Sequence, residues 1–175
     1  MIMRPGQQLL LPANPFFVWA SLLGALLLNI LLDSIFGRAV WVPDFLALTL
    51  VFWTVHQPRR VGISIAFVFG LCMDVHQAAL LGQHALSYTV LCFGAIAIHR
   101  RLLWFSVPSQ ALQVLPLFAA AHALELGIRL LSGGIFPGLS VVFTPVLESV
   151  LWPVVSIILL APQRRAPDPD ANRPL

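Results

Sequence analysis

Long apolar runs alternate along this chain with short polar breaks. The first run, Phe16 to Phe36, is broken only by the polar residues Ser21, Asn29, Asp33 and Ser34. At the helical rise it is about 30 Å long, enough to cross a bilayer. Gly37 to Pro43 reads as a turn. Asp44 to Val55 is the second run and ends at His56-Gln57-Pro58-Arg59-Arg60. Val61 to about His76 is the third and His84 to Ile98 the fourth, closed by His99-Arg100-Arg101. From Leu102 the chain stays mostly apolar to Leu131, with bends expected at Pro108 and Pro116. Ser132 to Gly138, rich in Gly and ending in Pro-Gly, is the clearest turn signal. Leu139 to Leu160 is the last run. Residues 1–15 read as a short, loose start, residues 16–161 as one six-helix membrane domain, and residues 162–175 as a disordered, Pro-rich tail.

Within the third run, Gly62, Ala66, Gly70 and Asp74 fall four residues apart. On a helix they form a stripe of three small residues ending in a carboxylate. Small residues at this spacing let two membrane helices approach closely, so Gly62, Ala66 and Gly70 are expected to face another helix of the chain. A carboxylate in such a helix faces protein or water, not lipid. Gly82 marks the break that follows.

Composition adds the solvent. Hydrophobic residues make up 59% of the chain and charged residues 10%, with a mean hydropathy of +0.90. A soluble domain carries about a quarter charged residues, so the chain reads as an integral membrane protein. The net charge of +3 is carried by arginine alone, since there is no lysine. So few charges argue against nucleic acid as a partner and turn attention to topology. Arg59-Arg60, Arg100-Arg101 and Arg164-Arg165 form pairs, each following two apolar runs. Positive residues accumulate in cytoplasmic loops. The expectation is an all-α protein of six transmembrane helices, arranged as three outward hairpins with both termini cytoplasmic. Only Arg38 and Arg129 then fall toward the outside. Asp74 falls near the outer face.

Candidate chemistry is sparse. Asp74, His76 and His84 have the side chains of a metal site, but no further carboxylate or cysteine completes one. They are read as a polar turn that satisfies helix ends. Cys72 and Cys92 are read as small buried apolar side chains. His122, Glu125 and Arg129 share a helix face, which suits a proton relay but is more simply a set of mutually neutralising charges, Glu125 and Arg129 standing at i and i+4. Glu148 lies well inside the last run. An unpaired charge there costs roughly 2.5–3.5 kcal/mol. Counted outward from the Ser132–Gly138 turn, His122 and Glu148 lie at equal depth. Glu148 is therefore expected to point into the bundle, with His122, or failing it Arg129, as its basic neighbour. No nucleophile elbow or Ser-Lys pair accompanies the serines, so no catalytic residue, cofactor or metal is assigned.

Read in order, Pro43-Asp44-Phe45, Trp53, Pro58-Arg59-Arg60-Val61, Gly70, Asp74, Gly82, Ala85-Leu86 and Leu151-Trp152-Pro153 resemble the MreD family, rod-shape-determining membrane proteins of bacteria. The resemblance runs from about Trp41 to Ile98 and over the last helix. It implies a non-enzymatic component of the cell-elongation machinery in the inner membrane. The implied partner is MreC-like, and through it an MreB-like filament, a RodA-type glycosyltransferase and its transpeptidase. It marks Asp74, Gly82, Trp152 and Pro153 as candidate partner contacts. The plan is also similar to the six-helix substrate-binding components of energy-coupling-factor transporters, which leaves a small-molecule-binding role as the alternative. The arginine pairs suffice as topology determinants, with anionic membrane lipid as a further contact.

Overall fold

A computed structural model describes residues 14–37 and 42–163. Arg38, Arg164, Arg165, most of the expected N-terminal segment and nearly all of the tail lie outside the described residues. Among the described residues six α-helices form in the expected order: α1 Pro15–Phe36, α2 Phe45–His56, α3 Ile63–Gln77, α4 Gln83–Leu102, α5 Val107–Leu131 and α6 Phe143–Leu160. A 3-10 turn over Leu139–Val142 leads into α6 and another, Ala161–Gln163, follows it. Pro108 sits in the first turn of α5, where its missing N–H costs nothing, and Pro116 is carried inside the same continuous helix.

Among the described residues three helices, α1, α5 and α6 with its following turn, are long and apolar enough to cross a membrane. The other three differ for separate reasons. Histidine, glutamine and arginine dilute α4. The helices α2 and α3 are apolar but have only 12 and 15 residues, about 18 and 22 Å at the helical rise. For α2 the shortness is compensated by its surroundings. From Leu46 to Val55 every residue is buried, so the bundle and not lipid surrounds it. It packs on α1, α4 and α6, while α3 packs on α4, α4 on α5, and α5 on α6.

The stripe on α3 is used in part. A Cβ on Gly70 would lie 2.3 Å from Ala85 Cα and 2.6 Å from Ala85 N, so α3 and α4 approach backbone to backbone at this point. Ala66 is fully buried beside it. Gly62 departs from the expectation: it is the N-cap of α3, and the one atom near its missing Cβ is Pro58 O at 3.8 Å. The helix begins one residue after it, so it has no turn from which to face α4. Cys92 is buried as expected and accepts a hydrogen bond from Thr54 Oγ1 at 3.4 Å, whereas Cys72, against the expectation, is exposed on α3.

Around the C-terminal half of α2 the core is aromatic. Phe52 and Trp53 meet edge to face at 5.0 Å, Phe17 of α1 meets Trp53 at 5.9 Å, and Phe52 lies 6.4 Å from Trp152. Each indole N–H finds an acceptor: Trp53 donates to Ser21 Oγ at 2.7 Å and Trp152 to Gln110 Oε1 at 3.1 Å. Arg59, Arg60, Arg100 and Arg101 are exposed at this end of the bundle. The opposite end of the bundle encloses a polar cavity.

Candidate functional site: a cavity over a buried carboxylate–imidazole chain

The cavity has a volume of about 640 Å³ and is lined from five helices and the N-cap of α2, including Asn29 and Asp33 of α1, Asp44 before α2, Met73 of α3, His84 of α4, His122 and Glu125 of α5 and Thr144 of α6. It lies over the N-terminus of α2, where the orphan N–H groups of that helix need acceptors. Asp44 is the N-cap and takes the N–H of Ala47 at 2.9 Å. Asn29 takes the N–H of Phe45 at 3.1 Å and donates to Asp44 Oδ1 at 2.6 Å. The N–H of Asp44 itself donates to Glu148 Oε1 at 3.1 Å, and the Tyr88 hydroxyl donates to Asp44 Oδ2. Three other helices thus converge on one helix start. An N-cap substitution alone is worth about 1 kcal/mol, and this cap also carries the hydrogen bonding of its neighbours.

Glu148 is fully buried. Both its oxygens lie 3.0 Å from His122 Nε2. With the carboxylate ionised it can only accept, and this ring nitrogen is then the donor. On its other side His122 Nδ1 is 3.5 Å from Glu125 Oε2. Glu125 Oε1 lies 3.3 Å from His84 Nε2, and His84 Nδ1 lies 2.9 Å from Asp74 Oδ1. Carboxylates and imidazoles therefore alternate from Glu148 through His122, Glu125 and His84 to Asp74. Asp74 ends the chain as a cap supplied from another helix. It accepts the N–H of Gly82 at 2.7 Å, of His84 at 2.7 Å and of Ala85 at 3.4 Å, at the start of α4. Gly82, the N-cap of α4, has no capping side chain of its own and takes φ +104°, a conformation that favours glycine. The carboxylate also complements the positive end of the helix dipole.

The expected cluster of His122, Glu125, Arg129 and Glu148 is thus brought together without Arg129. That side chain is exposed at the cavity rim and makes no ion pair among the described residues. Glu125 is held by two histidines, one from another helix, and its i+4 arginine stays exposed. The candidate partner contacts also divide. Asp74 is 1% exposed and Trp152 fully buried, so neither presents a surface. Gly82 and Pro153 are half-buried. Asn29 and Tyr88 also belong to the site, with no sequence signal of their own, and Asp44 joins them from the Pro43-Asp44-Phe45 motif. The signal at Asp44 is an acidic N-cap directly before an apolar run. Asp33, joined by Gln77 Nε2 at 3.1 Å and His76 at 3.6 Å, extends the polar wall between α1 and α3. Among the described residues no group of histidine, cysteine and carboxylate side chains has the arrangement of a metal site.

The family model described as rod shape-determining protein MreD matches residues 12–165. The chain belongs to the MreD family. Membership implies a role in rod-shape determination, and the three long apolar helices suit the membrane setting of that family. The match takes in the whole cavity and every residue of the carboxylate–imidazole chain. No solved structure matches the chain.

Proposed function

We propose that this chain is a non-enzymatic scaffold of the bacterial elongation machinery, which maintains rod shape and lateral peptidoglycan synthesis by binding an MreC-like membrane protein. Through that protein it connects to an MreB-like filament and to a RodA-type glycosyltransferase with its transpeptidase. The observation that carries this reading is the family match over residues 12–165. The topology is three outward hairpins in the inner membrane with both termini cytoplasmic. The gathering of Arg59, Arg60, Arg100 and Arg101 at one end supports it, because arginine is retained in cytoplasmic loops. On this reading the cavity opens to the periplasm, and its water accommodates the depth that the short α2 leaves unspanned.

Asp74 acts on the partner indirectly. It fixes the turn before α4, where Leu80 and Leu81 are 54% and 69% exposed. Purifying the full chain from native membranes tests the reading. An MreC-like protein should co-purify, and Asp74→Ala should lower its recovery by a graded amount. A periplasmic reporter signal from a fusion after Leu175 would overturn the topology. The cavity favours one alternative, a small-molecule-binding component of an energy-coupling-factor-type transporter. Recovery of an energising ATPase module in place of the MreC-like protein would select it.

A further inference from the structure

Three carboxylates, Glu148, Glu125 and Asp74, alternate with two imidazoles, His122 and His84. Even with both rings protonated the chain keeps one negative charge, and Asp33 and Asp44 add to it in the same wall. The carboxylates differ in how well they are satisfied. Asp74 and Glu148 are buried and held by donors at 2.7–3.1 Å. Glu125 lines the cavity, and its only close partners among the described residues are imidazole nitrogens at 3.3 and 3.5 Å. Charge-assisted hydrogen bonds close to about 2.7–2.9 Å. An ionised carboxylate has about four acceptor sites, so Glu125 retains capacity for a donor placed in the cavity. One turn further along α5, Arg129 stands at the rim as a cation with no ion pair among the described residues. Side chains at i and i+4 start roughly 6 Å apart on the same helix face. The cavity volume of about 640 Å³ lies inside the range of small-molecule sites, roughly 300–1,000 Å³.

We propose that this cavity binds a small zwitterion, its primary ammonium donating to Glu125 and its phosphate or carboxylate meeting Arg129. Metal coordination is disfavoured, because the deeper carboxylates are already occupied by N–H donors. A head group of the phosphoethanolamine type has both charges on a short linker, and it can come from a free solute or from the head of a lipid. The site does not rest on the scaffold reading, since neither Glu125 nor Arg129 is assigned there to partner contact.

The test is calorimetric titration of the full-length chain, in nonionic detergent, with O-phosphoethanolamine. Saturable binding is expected. Glu125→Gln and Arg129→Gln should each weaken it about tenfold or more, the scale of one lost hydrogen bond to a charged group. Arg129 is exposed, so its substitution keeps the fold and secures the test if Glu125→Gln expresses poorly. Ethanolamine and inorganic phosphate, each with one of the two charges, should bind more weakly than the zwitterion. Short-chain phosphatidylethanolamine separates the sources: competition with the soluble ligand assigns the site to a lipid head, and lack of competition to a free solute. Absence of saturable binding, or equal binding by wild type and Arg129→Gln, would overturn the proposal.

Discussion

The two halves of this bundle are built from different interactions. At the arginine end the helices meet through large rings and branched aliphatics, with Phe52, Trp53 and Trp152 fully buried. Of the buried polar atoms there, the N–H groups of Trp53 and Trp152 each find one acceptor, and Ser156 Oγ is left without a partner among the described residues. At the cavity end the bundle is joined by hydrogen bonds among Asn29, Asp44, Tyr88, His122 and Glu148 and by one close backbone approach, Gly70 against Ala85. Packing of the first kind is tolerant, because volume-conserving apolar changes cost less than about 1.5 kcal/mol. Networks of the second kind fail when one member is lost, because the partner left behind is buried and unpaired. The difference teaches that stability and chemistry are divided along the depth of the molecule. The tolerant half holds the helices, and the exacting half shapes a cavity.

The largest effect expected from breaking this comparison is at Gly70. Any side chain there meets the Ala85 backbone, not a movable side chain. Gly70→Leu should destabilise by about 3 kcal/mol or more, beyond ordinary overpacking, and leave little monodisperse protein on size exclusion. Normal accumulation would show that α3 and α4 can separate freely.

Glu148→Ala comes next. It strips the acceptor from His122 and from the Asp44 N–H at once. Breaking a buried pair in this way costs about 3–5 kcal/mol in water-soluble proteins, and a loss near the lower figure is expected in thermal unfolding. Glu148→Gln keeps an acceptor and should recover most of it. Equal stability of the two variants would mean that the carboxylate's charge, and neither its shape nor an acceptor alone, holds the cavity end.

Trp152→Phe tests the tolerant half. The ring volume is largely kept, while Gln110 Oε1 loses its donor. A loss of about 1–2 kcal/mol, the cost of one unsatisfied buried acceptor, is expected. It should come with no change in partner recovery. A selective loss of the partner would return Trp152 to the role that the resemblance implied.

The helices and their order are legible in the sequence, because an apolar run in lipid has few alternatives to a helix. Their ends were legible where a polar residue caps an apolar run, as at Asp44, and where glycine sits at a turn, as at Gly82. The meeting of His122 with Glu148 was legible from depth along two consecutive helices. The rest of the site was not. Glu125 pairs with His84 instead of its own i+4 arginine, and Asp74 caps a helix other than its own, because each was drawn to a partner that local spacing does not contain. Trp152 could have faced outward or inward on helical periodicity alone. Its burial follows from α6 packing on α2.

The sequence by itself determined the helical class of the molecule and the order of its six helices among the described residues. Those follow from composition and run length, which act locally on each segment. Only the tertiary structure decided that α2 is enclosed by its neighbours, that Gly62 caps and does not pack, and that carboxylates and imidazoles from four helices form one chain. Those outcomes depend on which helix faces meet, and a buried charge takes the complementary group that packing places beside it, wherever that group lies in the chain.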